Sequence, residues 1–268
     1  MYQLFQGDSL RLLGRLPLNS FDALITDPPY ASGDPRQSSA EKYVTSGCKR
    51  AYTRHSFYGE NLSQRSWMHW CADWLELCIQ VVRPGGVAAV FCDWRQLPAL
   101  MDAMQYAGWI VRGVMPWDKG NARPQPHQPK QVCEFIVWGS NGKLDTKRDA
   151  DYMDGIFRGK PPSSARRVHQ TEKSLDMMRQ LVHLCVCGGT ILDPFAGYAT
   201  TLAAAILEGY QVTGIEKSDY YFNRSVDRLE EICGEGETVC DLQEMLQMWQ
   251  ADSKRDHLPL CAGSYGQE

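Results

Sequence analysis

The sequence predicts an α/β fold with a mostly parallel sheet, and three observations predict it. Short apolar, β-branched runs alternate with amphipathic stretches of helical period along most of the chain. Runs such as Val87-Ala88-Ala89-Val90-Phe91 have no polar alternation, as expected of strands covered on both faces. Several helical stretches run into a glycine or into Arg83-Pro84-Gly85-Gly86, where a helix is expected to stop.

The elements follow in order. Residues 2–6 form a first strand, closed by Gly7 and Asp8. Residues 21–26 form a second, closed by Asp27-Pro28-Pro29-Tyr30, because two prolines forbid its continuation as strand or helix. A helix over 65–82 leads into a strand over 86–92, and a helix over 96–107 ends at Gly108. Residues 109–116 and 134–139 are strands with no helix between them. The intervening "WDKGNARPQPHQPKQ" is polar and proline-rich, so the two make an antiparallel pair with a long loop at the sheet edge. Helix 173–185, strand 190–192, helix 200–208, strand 211–215 and helix 219–232 complete a seven-stranded sheet. Residues 31–64 and 140–168 are irregular, and loops of that length are usually functional or disordered.

The composition bounds the function. The 268 residues suffice for one large domain, and no apolar run approaches a membrane span. The N-terminus has no basic and apolar leader, so a cytoplasmic protein without membrane partners is expected. The ten cysteines have no metal-ligand spacing and read as reduced thiols, several of them in the core; no metal is expected. Net charge is −4, but it is unevenly spread. Lys42, Lys49, Arg50 and Arg54 fall in the first irregular stretch, and Lys119, Arg123, Arg166 and Arg167 in the later loops, whereas acids collect in the last fifth of the chain. A basic face with an acidic back suits phosphate binding; a solvated surface of mixed charge is the alternative.

Four strands end near an acid: Asp8, Asp27, Asp193 and Glu216. Ligands of open α/β sheets bind at the carboxyl ends of strands. Each acid alone could be a helix cap, but four together point to a shared site. "DPFAGYATT" places a tight glycine turn between strand and helix, with Gly197 permitting close backbone approach. It is not a phosphate loop, since Gly-Lys-Ser/Thr and GxGxxG are both missing. The next strand ends at Glu216, where an acid can accept both ribose hydroxyls. A nucleoside without phosphates fits, such as S-adenosylmethionine.

"DPPY" at 27–30, "HQTEK" at 169–173 and "DPFAG" at 193–197, in that order, resemble the permuted (β-class) DNA amino-methyltransferases. The resemblance spans most of residues 1–232. It implies a Rossmann-like class I methyltransferase fold with circularly permuted motif order. It also implies S-adenosylmethionine as cofactor and double-stranded DNA as partner; a homodimer is left open. By resemblance, Asp8 lies near the adenine of the cofactor and Glu216, beside Lys217, on its ribose. Asp193, Phe195, Ala196, Gly197 and Thr200 surround the methionine part, and His169, Thr171 and Lys173 contact its tail side. Asp27 borders both this site and the methyl acceptor. The whole of 1–268 is then one catalytic domain, with 31–64, 117–131 and 140–168 as DNA-facing loops and 233–268 as an acidic extension.

The chain departs from the family where Gly-Ser-Gly-Thr-Thr is usual and Gly197-Tyr198-Ala199-Thr200-Thr201 stands. A positive φ at Ala199 would cost about 1 kcal/mol. "HQTEKS" also lacks the prolines common around its motif.

The chemistry explains an acid and a ring beside two prolines. An exocyclic amine is a poor nucleophile, because its lone pair is delocalised into the ring. Asp27 can accept one of its N–H bonds and the Pro28 carbonyl the other, while the prolines preorganise the acceptors. Tyr30 can stack on a base that has left the duplex, and only its ring face is required. Asp-Pro-Pro-Tyr favours adenine N6 over cytosine N4 by resemblance, and the cytosine enzyme is the alternative. A catalytically silent DNA-binding protein of the same fold is a rival of another class. Trp117 is expected near DNA or the flipped base, or buried in an edge hairpin.

Overall fold

The computed structural model describes residues 2–31, 62–120, 126–127, 129–144, 147–160 and 173–233. Its strands are β1 (Tyr2–Gln6), β2 (Phe21–Thr26), β3 (Val82–Cys92), β4 (Ile110–Asp118), β5 (Cys133–Ser140), β6 (Phe157–Arg158), β7 (Thr190–Asp193) and β8 (Gln211–Glu216). Its helices are α1 (Ser9–Leu13), α2 (Gln64–Val81), α3 (Leu97–Tyr106), α4 (Leu175–Val182), α5 (Thr200–Leu207) and α6 (Asp219–Cys233).

The sheet order is β1-β8-β7-β2-β3-β5-β4-β6. The first five of these run parallel, and β5 lies antiparallel between β3 and β4. The predicted antiparallel pair is therefore present. It lies one strand inside the edge, because the two-residue β6 pairs with β4 beyond it. The polar composition of residues 140–168 concealed this eighth strand. The five-residue α1 was also missed, being too short for a helical period to show. β3 starts earlier than expected. Residues 83–86 bulge between Val82, paired with Phe21, and Val87, paired with Ala23. Helix α4 starts at Leu175 rather than at residue 173, because the Ser174 hydroxyl caps it by accepting from the Met177 amide.

Two cores flank the sheet. Leu24, Ala88, Val90 and Cys92 face one, with residues of α1, α2 and α3. Ala23, Ile25, Val87, Ala89 and Phe91 face the other, with residues of α4, α5 and α6. The period of two along β2 and β3 thus serves two apolar layers at once, so neither strand shows polar alternation. Cys71, Cys78, Cys92 and Cys185 are buried free thiols. No helix among the described residues is long and apolar enough to cross a membrane.

This topology fixes where a ligand can sit. The chain leaves β2 through α2 for β3 on one side, and leaves β7 through α5 for β8 on the other. β2 and β7 are neighbours, so the connections diverge between them and open a crevice at their carboxyl ends. Asp27 follows β2 and Asp193 ends β7.

Candidate active site

The four strand-end acids gather on one edge, since β1, β8, β7 and β2 are parallel neighbours. They do not play equal parts. Asp193 is almost fully buried and braces the crevice. Its Oδ1 accepts from the Thr26 hydroxyl at 2.6 Å, across from β2, and from the Phe195 amide at 3.1 Å. The Thr201 hydroxyl bonds it as well. Burial pushes its carboxyl up to about 6, against these hydrogen bonds.

Glu216 is buried at the end of β8. One oxygen accepts from the Gly197 amide at 2.8 Å and the other from the Ser218 amide at 2.7 Å. Burial pushes this carboxyl up to about 7. The Lys217 amide bears on it as well, and a carboxylate has about four acceptor positions, so capacity remains for a donor such as a ribose hydroxyl. Asp8 caps α1 through the Leu10 amide at 3.1 Å and pairs with Lys217 Nζ at 2.7 Å. Here the cap reading holds, on the same sheet edge as the other three acids. Ser9 Oγ donates to the Pro194 carbonyl, tying the end of β1 to the "DPF" loop.

That loop has the left-handed backbone its departures raised. Gly197 has φ 55° and Ala199 φ 54°, ψ 36°. Helix α6 supports both positions. Ser225 Oγ donates to the Gly197 carbonyl at 2.9 Å, and Arg228 donates to the Tyr198 carbonyl at 2.8 Å. The Arg228 guanidinium also lies 4.5 Å from the Tyr198 ring centroid and reaches Thr200 Oγ1 at 3.1 Å. Tyr198 is thus accommodated by a cation–π contact that a smaller residue could not make.

Helix α2 contributes aromatic residues that sequence reading did not assign to the site. Trp67, Trp70 and Trp74 share one face at helical spacing. Trp67 Nε1 donates to the Pro29 carbonyl at 2.7 Å and fixes the "DPPY" turn, after which Ala31 is left-handed at φ 48°. Trp70 and Trp74 pack on Phe195 at centroid distances of 5.4 and 5.1 Å. One helix therefore braces both acid–proline motifs. The 67/70/74 spacing was the available signal, and on its own it reads as core.

The acceptor end is built differently. Asp27 Oδ2 lies 2.9 Å from Lys173 Nζ, and Tyr30 OH donates to Asp27 Oδ1. Lys173 Nζ also bonds Glu134 Oε2 at 2.7 Å and the Tyr30 hydroxyl at 2.9 Å. Glu134 Oε1 takes Lys119 Nζ at 2.8 Å. Phe91, Tyr30 and Trp117 surround the Lys173 ammonium at 5.0, 5.1 and 5.9 Å. Burial raises Asp27, with Lys173 opposing it. Burial would also raise Glu134, but Lys173 and Lys119 more than offset it and hold that carboxyl at about 2.

Glu134 was missed, although its strand was foreseen. An antiparallel strand brings its first residues to the edge where parallel strands end. Phe135 pairs with Cys92 and Glu134 with Trp117, so Glu134 arrives beside the acceptor acid. Three expectations change accordingly, those for Lys173, Lys119 and the Tyr30 hydroxyl. Lys173, expected at the cofactor tail, sends its ammonium to Asp27 and Glu134. Lys119, expected on DNA, is ion-paired with Glu134. Trp117, expected near DNA or buried, is buried, with Nε1 donating to the Gly159 carbonyl at 3.0 Å. The Tyr30 hydroxyl, assigned no role, is bonded to Asp27. Lys42, Lys49, Arg50, Arg54, Arg123, Arg166, Arg167, His169 and Thr171 lie outside the described residues. Among the described residues, no group of three or more His, Cys, Asp or Glu could hold a metal ion.

The arrangement sets Asp27, oriented by Tyr30 and Lys173, beside the end of the crevice where Asp193 and Glu216 form no salt bridge among the described residues. The chain is 25% identical over 271 residues to the type II methyltransferase M.Cfr9I of Citrobacter freundii, covering 85% of this chain and 87% of that one. The fold matches M1.HpyAVI, solved as a complex with SAM, at TM-score 0.61 and 22% identity over 85% of this chain and 99% of that one. It also matches the PvuII cytosine-N4-specific DNA methyltransferase at TM-score 0.65 and 16% identity over 93% of each chain. The pattern of the N6/N4 family, described as DNA methylase, matches residues 21–227, and the chain belongs to that family of DNA methylases.

Proposed function

We propose that the protein transfers a methyl group from S-adenosylmethionine to the exocyclic N6 amine of an adenine flipped out of double-stranded DNA. The observation that carries the reading is the Asp27 carboxylate, fixed by Tyr30 and Lys173 at the crevice between β2 and β7.

The residues fit the cofactor. Glu216 retains acceptor capacity for ribose hydroxyl donors, and Gly197 offers backbone without a side chain. Among the described residues, Asp193 and Glu216 form no salt bridge, which suits a ligand that is itself cationic. When bound, S-adenosylmethionine supplies an electrophilic methyl on a sulfonium. The chain's own work is positional. Asp27 accepts one N–H of the amine, a charge-assisted bond of roughly 1.5–3 kcal/mol. The Pro28 carbonyl accepts the other, and the Trp67 bond to the next carbonyl stiffens the turn that presents it. The Tyr30 ring, held by its hydroxyl, offers a stacking surface. After transfer the nitrogen carries an extra proton, which it loses readily to water, so no strong base is required.

Adenine is preferred to cytosine because Asp27 stands where the cytosine enzymes more often have serine. The cytosine-N4 reading is second, favoured by the fold match to a cytosine-N4 enzyme. The target is short or relaxed, since the sequence outside the catalytic strands and helices is rich in cations, which suit phosphate contacts that position DNA without reading it. The test is incubation of the purified chain with unmethylated DNA and labelled cofactor, followed by nucleoside analysis and sequencing of modified sites. N6-methyladenine at sites defined by one to four bases supports the reading. N4-methylcytosine transfers it to the second, and a strict target of six or more bases removes the relaxed-target part.

A further inference from the structure

We propose that Lys173, seated on Glu134, is the positioning residue of the acceptor acid: it holds the Asp27 carboxylate in one orientation and compensates its charge before the base arrives. This rests on the reading above for what Asp27 does, but the arrangement itself lies in the fold.

The geometry is specific. Lys173 is a buried lysine with 6% side-chain exposure. Such a group is costly to hide unless it is paired and hydrogen-bonded. Its three donors are matched by three acceptors: Asp27 Oδ2 at 2.9 Å, Glu134 Oε2 at 2.7 Å and Tyr30 OH at 2.9 Å. Lys119 then takes the other oxygen of Glu134 at 2.8 Å. Two acids and two lysines form a formally neutral chain, Asp27–Lys173–Glu134–Lys119, across the ends of β2 and β4, the start of β5 and the segment before α4. A cofactor-tail contact does not require Glu134, and a purely structural ion pair does not require the reacting acid.

Among the described residues each Asp27 oxygen is bonded once, Oδ1 by Tyr30 and Oδ2 by Lys173. A carboxylate oxygen has two lone pairs, so the amine can bind without displacing either partner. Lys173 therefore orients without blocking. Without its ammonium, burial and the Glu134 charge would act on Asp27 with only Tyr30 opposing them, and the acid would tend to take up a proton. A protonated Asp27 is a weaker acceptor for an N–H bond. The groups facing Asp27 from the packed elements are Tyr30, Lys173, Glu134, Cys92 and Asp193, with Lys119 behind Glu134.

The two partners act on Asp27 with opposite signs, which gives the test. Lys173→Met and Glu134→Gln are compared with the wild-type full chain. Three readouts are followed: the pH dependence of single-turnover methylation, cofactor affinity by calorimetry, and Asp27 titration by carbon-13 NMR. Lys173→Met should lower the methylation rate ten- to a hundredfold at pH 7. It should move the acid limb and the Asp27 titration up by a unit or more, with rate recovering toward alkaline pH. Glu134→Gln should lower the rate three- to tenfold but move the titration down. Cofactor affinity should change less than threefold in both.

A pH-independent loss in both variants, or titration shifts of the same sign, overturns the proposal. So does Lys173→Met acting mainly on cofactor affinity, which would return the lysine to the cofactor tail. The NMR titration needs no turnover. A wild-type chain that methylates nothing would end the adenine reading, while the opposite titration shifts would still decide the role of Lys173.

Discussion

The two ends of the crevice treat their acids in opposite ways. At the proposed acceptor end, Asp27 and Glu134 are paired with Lys173 and Lys119, and Glu134 is held at about 2. At the proposed cofactor end, Asp193 and Glu216 receive hydroxyl and amide donors, and burial leaves them at about 6 and about 7. Both ends are buried, so the difference lies in who supplies positive charge. The acceptor is a neutral amine, and the protein must bring its own cations to keep an acid ready for it. The cofactor is a cation, and Asp193 and Glu216 are left without a salt bridge among the described residues, while the Lys217 ammonium is turned to Asp8.

The sharpest way to break the comparison is to remove one end alone. Asp27→Ala should lower the methylation rate at least about a hundredfold, the order expected when a reacting group loses its alignment. Cofactor affinity should stay within a few-fold of wild type. Rapid-quench methylation and calorimetry on one preparation check both. A variant that loses cofactor binding to the same extent would show that the two ends are a single unit.

The converse change is Glu216→Ala. Losing two hydrogen bonds to the ribose, each worth about 1 kcal/mol, should weaken S-adenosylmethionine roughly thirtyfold. The rate at saturating cofactor should change little. Glu216 also predicts two pH trends of opposite sign. Between the ordinary carboxyl value of 4.5 and about 7, the folded chain keeps a proton that the unfolded chain has released. Stability without ligand therefore falls as pH rises through that window. Cofactor affinity should instead rise, because the ionised carboxylate is the better acceptor. Melting curves and titrations from pH 5 to 8 test this, and Glu216→Gln should flatten both trends.

Tyr30 sharpens the acceptor side. Were only its ring face used, Tyr30→Phe would be mild. Its hydroxyl instead bonds Asp27 and Lys173. Loss of roughly 1 kcal/mol should slow methylation about fivefold. Tyr30→Ala should cost more, since it also removes the stacking surface. An unchanged rate in Tyr30→Phe would show that Lys173 alone orients the acid.

The strands, their order of types and the two acid–proline turns were legible because each depends on local sequence: apolar runs, prolines, glycines. What escaped notice depends on pairing at a distance. Glu134 belongs to the site only because β5 runs antiparallel between β3 and β4 and delivers its start to their carboxyl ends. Trp67, Trp70 and Trp74 carry no local mark beyond helical spacing, and only packing shows that they brace the two motifs. Lys119 and Lys173 looked available for phosphate or cofactor because a charge in a sequence does not reveal its partner. Their pairing with Glu134 spans 15 and 39 residues.

The smallest effect is expected at Ala199, where two terms nearly cancel. Ala199 is left-handed, with φ 54°, and costs about 1 kcal/mol relative to glycine for that conformation. Its methyl is fully buried beside α5, and removing one buried methyl loses about 0.8 kcal/mol. Arg228 and Ser225 hold the carbonyls of Tyr198 and Gly197, so the loop is restrained with either residue. Ala199→Gly should therefore change stability by less than about 0.5 kcal/mol, a shift of no more than a degree or two in Tm for a domain of this size. Cofactor affinity should remain within twofold. A marked gain in affinity would mean that the alanine strains the loop in the bound state more than in the free one. A marked loss would mean that the buried methyl, rather than the backbone angle, sets the position of Gly197 against the ribose-binding acid.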